Sequence, residues 1–573
     1  CSCGQLAMGN TLGVGDGGGS DGKTQKAKRG VKRKKGAAGG SKRTKVAKLE
    51  TTKYVYEKLF VEGQDSDIIV CALGHQWPLH KFYLKQCEYF AALLNGDWKD
   101  SKESIFELTI PDEAVTVEGL HSVLGSLYDN EIRLEPGKLE AIIAASTLLQ
   151  LKSVQERAIE AMCDCVDDTT VLTFLGCGHR YQIKRITLSA FGYLHRNFWR
   201  LCKDPAFLAV LPEEAMDKLT AQPDLVVSEG EMDLYKAMRT WIYLQLVPDA
   251  PIDSVPDLEK AQASFYASVK IKMQGGSRCC QDSWSSTQAL GGSPDSQASS
   301  PSVASITGLA PRDLQKPYAL FRRYSSLFAG LRLHAVLHCT TAIKMLKDDG
   351  LLPIALIDRV MADRYATMLA CDEARATEDL DQAAEVSDEA FLMNSTRFGR
   401  LIDTIPKCWR WTGSHFGVDL LLTVQPSFIS IKRNVHSQPS SYSLNHQNRL
   451  KICYRVLILN SRGETVRDTG RDTAVLMLDS SVVAMRFKRE DFDLPVSIHA
   501  FIMFGSPSPN PSFVFVSKVV EELGRDEKKP LEMDNVSGDW LASPRRSTST
   551  TRESGEDEGE TTAEEDSSAS DSS

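Results

Sequence analysis

No run of 18 apolar residues occurs in the 573-residue chain, so no transmembrane helix is expected. A leader with a basic start, an apolar middle and a small-residue cleavage site is also missing, which argues against secretion. The 14 cysteines are scattered without framework spacing. With no leader, the expected setting is a reduced, intracellular one, where the sequon Asn394-Ser395-Thr396 carries no glycan. The signatures of common catalytic machinery are absent: there is no G-x-S-x-G elbow, no G-x-x-x-x-G-K-[ST] loop and no H-E-x-x-H pair. Gly13, Gly15 and Gly18 match the spacing of a phosphate-cradling fingerprint, but no strand precedes them and no helix follows. Cys163, Cys165, Cys177 and His179 offer thiolates and an imidazole, yet C-x-C and C-x-H lack the spacing of zinc pairs. No catalysis, metal or cofactor is expected.

What is present starts with a 42% apolar content, enough for real cores in a chain long enough for about two to four domains. A net charge of −9 hides an asymmetry: residues 22–49 hold twelve Lys or Arg and no acid, and residues 553–571 hold nine acids and no base. Within the basic stretch, Lys32, Arg33, Lys34 and Lys35 are separated by a short spacer from Lys42, Arg43 and Lys45. This resembles a bipartite nuclear localisation signal, a cationic strip that lies along an acidic groove of an importin. With no aromatic to stack on bases, nucleic-acid binding is not expected. The chain opens at Cys1, and Met8 is its first candidate initiator. Used as such, it makes Gly9 a candidate for N-myristoylation, although Gly13 stands where Ser or Thr is preferred. One acyl chain holds a membrane only weakly, so the basic cluster would have to supply a second signal.

Residues 53–154 carry the most constraining pattern. Asp67, Ile68, Ile69, Val70 and Cys71 form a β-prone run that Gly74 and His75 interrupt. Trp77-Pro78-Leu79-His80-Lys81 then leads into a helix in which Leu84, Cys87, Phe90, Leu93 and Leu94 share one stripe, stopped by Asn95-Gly96. This order resembles the BTB (POZ) domain, with Cys87 where that family usually has Ser. FELTIP, VEGLHSVLGSLYDNEIRL and KLEAIIAASTLLQL continue the match. The resemblance implies a homodimer. It also implies cullin-3 binding through a hydrophobic-x-Glu triplet, represented here by Trp98-Lys99-Asp100 with Asp in place of Glu.

Residues 155–248 are helical in pattern, with Met232, Tyr235, Met238, Ile242 and Leu246 on one face, and resemble a BACK domain. Residues 249–315 turn to Ser, Gly, Gln and Pro and read as a flexible linker, with Ser293-Pro294 and Ser300-Pro301 as candidate phosphorylation sites. Helical patterning resumes over 316–390 as a separate segment. Residues 391–522 alternate short β-prone runs with turns, among them KCWRWTGSHFGVDLL, FISIKRNV, RLKICYRVLILN, DTAVLMLD, VSIHAFIMF and SFVFVSKVV, and predict an antiparallel β-rich domain. Trp409 and Trp411 share one strand face. Residues 523–573 form an acidic, Ser/Thr-rich tail that is expected to be disordered, as is the basic tail over 1–52.

KCWRWTGSHFGVDLL and the upstream RFGR, in this domain order, resemble the germ cell-less family over roughly residues 53–505. The expected fold class is multidomain α+β. The resemblance implies a nuclear or nuclear-envelope protein with a role in germ-cell formation. It further implies a non-catalytic substrate adaptor of a cullin-3 RING ubiquitin ligase. In that reading Trp98 engages cullin-3 and the surface around Trp409, Trp411 and Phe416 captures a protein substrate that the sequence does not name. If lipidated, the chain also visits the cytoplasm or plasma membrane. The rival expectation is a nuclear-envelope scaffold or transcriptional co-regulator that uses the BTB fold only to dimerise.

Overall fold

The structure is a computed structural model that describes residues 51–95, 104–129, 132–274, 318–374, 387–415, 418–434, 449–478 and 480–504. It is a mixed α+β molecule in which the first sheet has the order β2-β1-β3. Strands β1 (Ile68–Ala72) and β2 (His75–Leu79) form an antiparallel hairpin, and β3 (Ile105–Glu107) lies parallel to β1. The hairpin turns through Leu73 and Gly74, both at positive φ (50° and 74°), the conformation a two-residue turn needs to match strand twist.

The sequence motif of this region is a set of hydrogen bonds. Asp67 Oδ1 accepts the Lys81 backbone N–H at 2.7 Å, which fixes where the chain enters the helical turn Lys81–Leu84. The His80 ring lies 2.9 Å from the Gln64 carbonyl through Nε2, so Nε2 carries the proton and Nδ1 accepts from the Tyr128 hydroxyl at 3.2 Å. Tyr128 in turn accepts the His80 backbone N–H. Cys87 is buried and its thiol donates to the Leu149 carbonyl at 2.7 Å, the role a serine hydroxyl would take. Burial pushes that thiol's pKa up.

A single hydrophobic cluster runs from Phe60 to Val360, joining this domain to the helices that follow without a break. They include Lys152–Asp164, Val171–Arg180, Lys184–Leu201 and Glu231–Leu246. Two expectations are corrected here. The linker read from residue 249 onward begins as a helix, Val255–Gln274, whose Leu258, Tyr266 and Val269 are buried. The segment read as separate over 316–390 belongs to the same core, since Leu346 on helix Thr340–Asp349 and Leu356, Ile357 and Val360 on helix Ile354–Ala374 are buried within it. The two halves are clamped by a buried network: Arg239 Nε and the Tyr235 hydroxyl both donate to Asp349 Oδ2 (2.8 and 2.9 Å). Arg239 Nη1 also donates to Gln262, and the Tyr266 hydroxyl donates to the Arg239 carbonyl at 2.7 Å. Residues 275–317 therefore interrupt one helical domain.

Beyond it lies a two-sheet β domain. One sheet has the order β10-β8-β12-β4, with β9 also paired to β8; the other has the order β11-β7-β6-β5. The strands are β4 (Thr396–Ile402), β5 (Lys407–His415), β6 (Val418–Val424), β7 (Phe428–Arg433) and β8 (Arg449–Leu459). The rest are β9 (Thr465–Asp468), β10 (Asp472–Met477), β11 (Ser481–Arg486) and β12 (Val496–Phe504). Leu420, Leu422, Ile429 and Ile431 from one sheet meet Ile452, Val456, Ile498 and Ile502 from the other in a shared core. The opposite face of β8 and β12, carrying Cys453, Leu457, Leu459 and Phe501, packs on Trp199, Val226 and Phe391. That sheet is covered on both faces, which is why β12 reads as a nearly unbroken apolar run instead of an alternating one. The run SFVFVSKVV lies outside the described residues.

Candidate protein-interaction sites

Trp98, Lys99 and Asp100 lie outside the described residues, as do Gly9, the basic cluster Lys32 to Lys45, and Phe416. What is described is the frame that presents the Trp98 triplet. It follows helix Glu88–Asn95 and precedes β3, and the two are held together by Phe90 set edge-on to Phe106 with ring centroids 6.0 Å apart. The same domain exposes large apolar side chains: Phe82 is 80% exposed and Tyr54 62%.

Trp411 takes a different place from the one expected of a substrate contact. It is 4% exposed and stacks on Phe398 with centroids 4.4 Å apart and planes 19° from parallel, inside the inter-sheet core. Trp409 is half-buried and packs against the same core. Two tryptophans two residues apart do share a strand face, but that face points inward. Cys177 is also core, its thiol pushed up to about 12 by burial. Among the described residues no group of three or more His, Cys, Asp or Glu side chains could hold a metal ion.

The most elaborate polar construction joins the helical domain to β4 and β12, and the sequence reading did not find it. Arg397 on β4 is almost fully buried and clamps Glu231 with both ends of its fork, Nε to Oε1 at 2.5 Å and Nη2 to Oε2 at 2.8 Å. Its remaining donors reach the Leu225 and Gly330 carbonyls at 3.4 and 3.3 Å. Arg332 stands beside them: Nη2 donates to the Pro223 carbonyl at 2.7 Å and to the Leu392 carbonyl, and Nη1 lies 3.6 Å from Glu231. Arg400 pairs with Glu229. Gly399 admits the loop between them, because a Cβ there would sit 2.1 Å from the Val227 carbonyl oxygen. His499 on β12 is fully buried and packs edge-on against Trp199. Its Nδ1 faces the Val227 carbonyl at 3.1 Å, so Nδ1 donates and Nε2 accepts from the Ser497 hydroxyl. Burial pushes its pKa down to about 3. Arg397, Gly399 and Arg400 of RFGR thus each have a job at this junction, while Phe398 faces the other way, into the inter-sheet core. The signal that could have exposed it is a charged motif at the head of a strand with no solvent-facing alternation.

A BTB/POZ domain model matches residues 56–166. Germ cell-less protein-like 1 of Homo sapiens is 30% identical over 465 residues, covering 80% of this chain and 81% of that protein. Protein germ cell-less of Drosophila melanogaster is 27% identical over 510 residues, covering 87% and 84%. Kelch-like protein 24 of Homo sapiens is 21% identical over 191 residues, covering 32% of this chain.

Proposed function

The chain belongs to the germ cell-less family and carries a BTB/POZ domain, and from that premise we propose that it is the substrate adaptor of a cullin-3 RING ubiquitin ligase. The observation that carries this reading is the continuous core from Phe60 to Val360, with the β domain seated on the same helices. An adaptor must hold its substrate at a fixed distance from the ligase, and a spacer with one uninterrupted core does so. In this reading the Trp98 triplet engages cullin-3 and the chain itself transfers no ubiquitin. Phe82 and Tyr54 supply exposed apolar area for a homodimer. The basic cluster Lys32 to Lys45 directs import through an importin, and the protein acts at the nuclear envelope in germ-cell formation. A surface of the β domain other than Trp411 receives the substrate.

The test is capture of cullin-3 by the full chain, comparing the parent with Trp98→Ala. A buried interface tryptophan is worth roughly 2 kcal/mol or more, so the variant should lose at least about thirtyfold in affinity while its melting curve stays unchanged. No capture by a folded parent would overturn the adaptor reading and leave the scaffold, for which the exposed Phe82 and Tyr54 are the supporting observation.

A further inference from the structure

A strand at the end of a sheet presents a row of backbone N–H and C=O groups that can template another strand. The two sheets of the β domain end in β4 and β10, and in β5 and β11. Among the described residues β10 pairs with β8 alone. Its Leu476 is buried in the inter-sheet core, but on the opposite face Val475 and Met477 are 37% and 42% exposed. β4 and β11 each leave a single large apolar side chain open, Leu401 and Val483. The edge that most lacks cover is therefore that of β10.

The chain supplies a segment at the right place. β12 and β10 both run antiparallel to β8, so they run parallel to each other. Phe504, the last residue of β12, is opposite Ile452, which is opposite Ala474. β12 thus stops level with the middle of β10. A chain leaving it has only to turn back to run antiparallel along the outer edge of β10, the sense of every other pairing in this sheet. That edge lies three strand spacings from β12, about 14 Å. The residues beyond Phe504 lie outside the described ones. The first eight, Gly505 to Ser512 with prolines at 507, 509 and 511, can span about 25 Å at the rise of an extended proline-rich segment.

Next comes Phe513-Val514-Phe515-Val516-Ser517-Lys518. One antiparallel register sets Phe513 opposite Met477, Phe515 opposite Val475, Ser517 opposite Thr473 and Lys518 opposite Asp472. Directly opposed side chains share a sheet face, and aromatic, hydroxyl and opposite-charge pairs are the kinds that stabilise one another there. The two phenylalanines would cover the exposed Met477 and Val475, while Val514 and Val516 would extend the core face of Leu476 and Ala474. Sliding the segment two residues one way sets Lys518 against Ala474 on the core face. Sliding it two residues the other way sets Pro511, which has no N–H, opposite Met477.

We propose that residues 513–518 dock in cis on the outer edge of β10, in this register, as a further antiparallel strand. The docking is independent of cullin binding. It closes an edge that would otherwise accept an extended segment of another chain.

The experiment is amide hydrogen exchange of β10 in the full chain, in a chain ending at residue 522 and in one ending at residue 510. The outer-edge amides should exchange equally slowly in the first two and about tenfold or more faster in the third. Asp472→Lys in the full chain should speed exchange, and adding Lys518→Asp should slow it again. Should the shortest chain fail to fold, a disulfide decides. Val475→Cys with Phe515→Cys, oxidised in a mixture of light and isotopically heavy full chains, should link the two positions within one chain. Equal exchange in all three chains, no rescue by Lys518→Asp, no linkage, or a linkage joining light to heavy chains would overturn the proposal.

Discussion

Two buried charge clusters hold the helical domain together with what surrounds it, and they are built on opposite rules. The clamp across residues 275–317 is balanced: Arg239 faces Asp349, and Tyr235 and Gln262 satisfy what remains. The junction with the β domain is unbalanced, with Arg397 and Arg332 sharing Glu231. The difference teaches what each contact does. A balanced pair can be exchanged for apolar groups of similar volume at little cost, because desolvation roughly cancels attraction. An unbalanced one depends wholly on its single counter-charge.

Removing that counter-charge should therefore have the largest effect. Glu231→Gln leaves two buried guanidiniums with no carboxylate and should destabilise by about 3–5 kcal/mol in denaturant unfolding. A loss under about 1 kcal/mol would show that the junction is not held by charge and would erase the contrast.

Acid should separate the two clusters next. His499 sits at the junction with its folded pKa near 3, against 6.5 for the ordinary side chain. The unfolded chain therefore binds the proton first, and stability is lost as pH falls below about 6.5. From pH 7 to pH 5 the loss attributable to this one group is about 2 kcal/mol. Asp349 in the clamp has the opposite sign, because burial raises its pKa above 3.8 and the folded state takes up the proton more readily just above that value. Unfolding measured at both pH values for the parent and for His499→Gln checks this: the variant should lose most of the slope between pH 7 and pH 5.

A smaller effect than that of either single change is expected from Arg239→Met combined with Asp349→Leu, which removes both charges together and should cost about 1–3 kcal/mol for the partners lost by the Tyr235 hydroxyl and Gln262, while either single change strands a buried charge and costs about 3–5 kcal/mol. If the double variant is as unstable as the singles, the clamp is a hydrogen-bonded network and not a balanced pair.

The first domain was legible because its pattern consists of local hydrogen bonds between residues the motif names: Asp67 with Lys81, and His80 with Tyr128. The helix Glu231–Leu246 was read by half. Tyr235, Met238, Ile242 and Leu246 form the stripe that periodicity found, but Leu234, Arg239, Trp241 and Tyr243 on the remaining faces are buried too. Arg239 lies off that stripe, and its partner Asp349 is 110 positions away, so no local spacing links the two. Helix Val255–Gln274 was hidden by the Ser- and Gly-rich composition that follows it. Strands β9 and β11 were missed because most of their residues face solvent, and β9 is defined by pairing to β8 alone. Of the candidate site, the sequence could offer Trp98 but not the junction, whose Arg397 and Glu231 are 166 positions apart.

The clamp also says where this protein can be cut. Residues 51–274 and 318–504 are two pieces of one fold, since Arg239 and Gln262 come from the first and Asp349 from the second. A break in the chain between them leaves every one of these contacts in place, so the pieces are natural partners for fragment complementation. A truncation near residue 250, the boundary that composition invites, instead strips helix Glu231–Leu246 of its cover and yields a sticky, unfinished half.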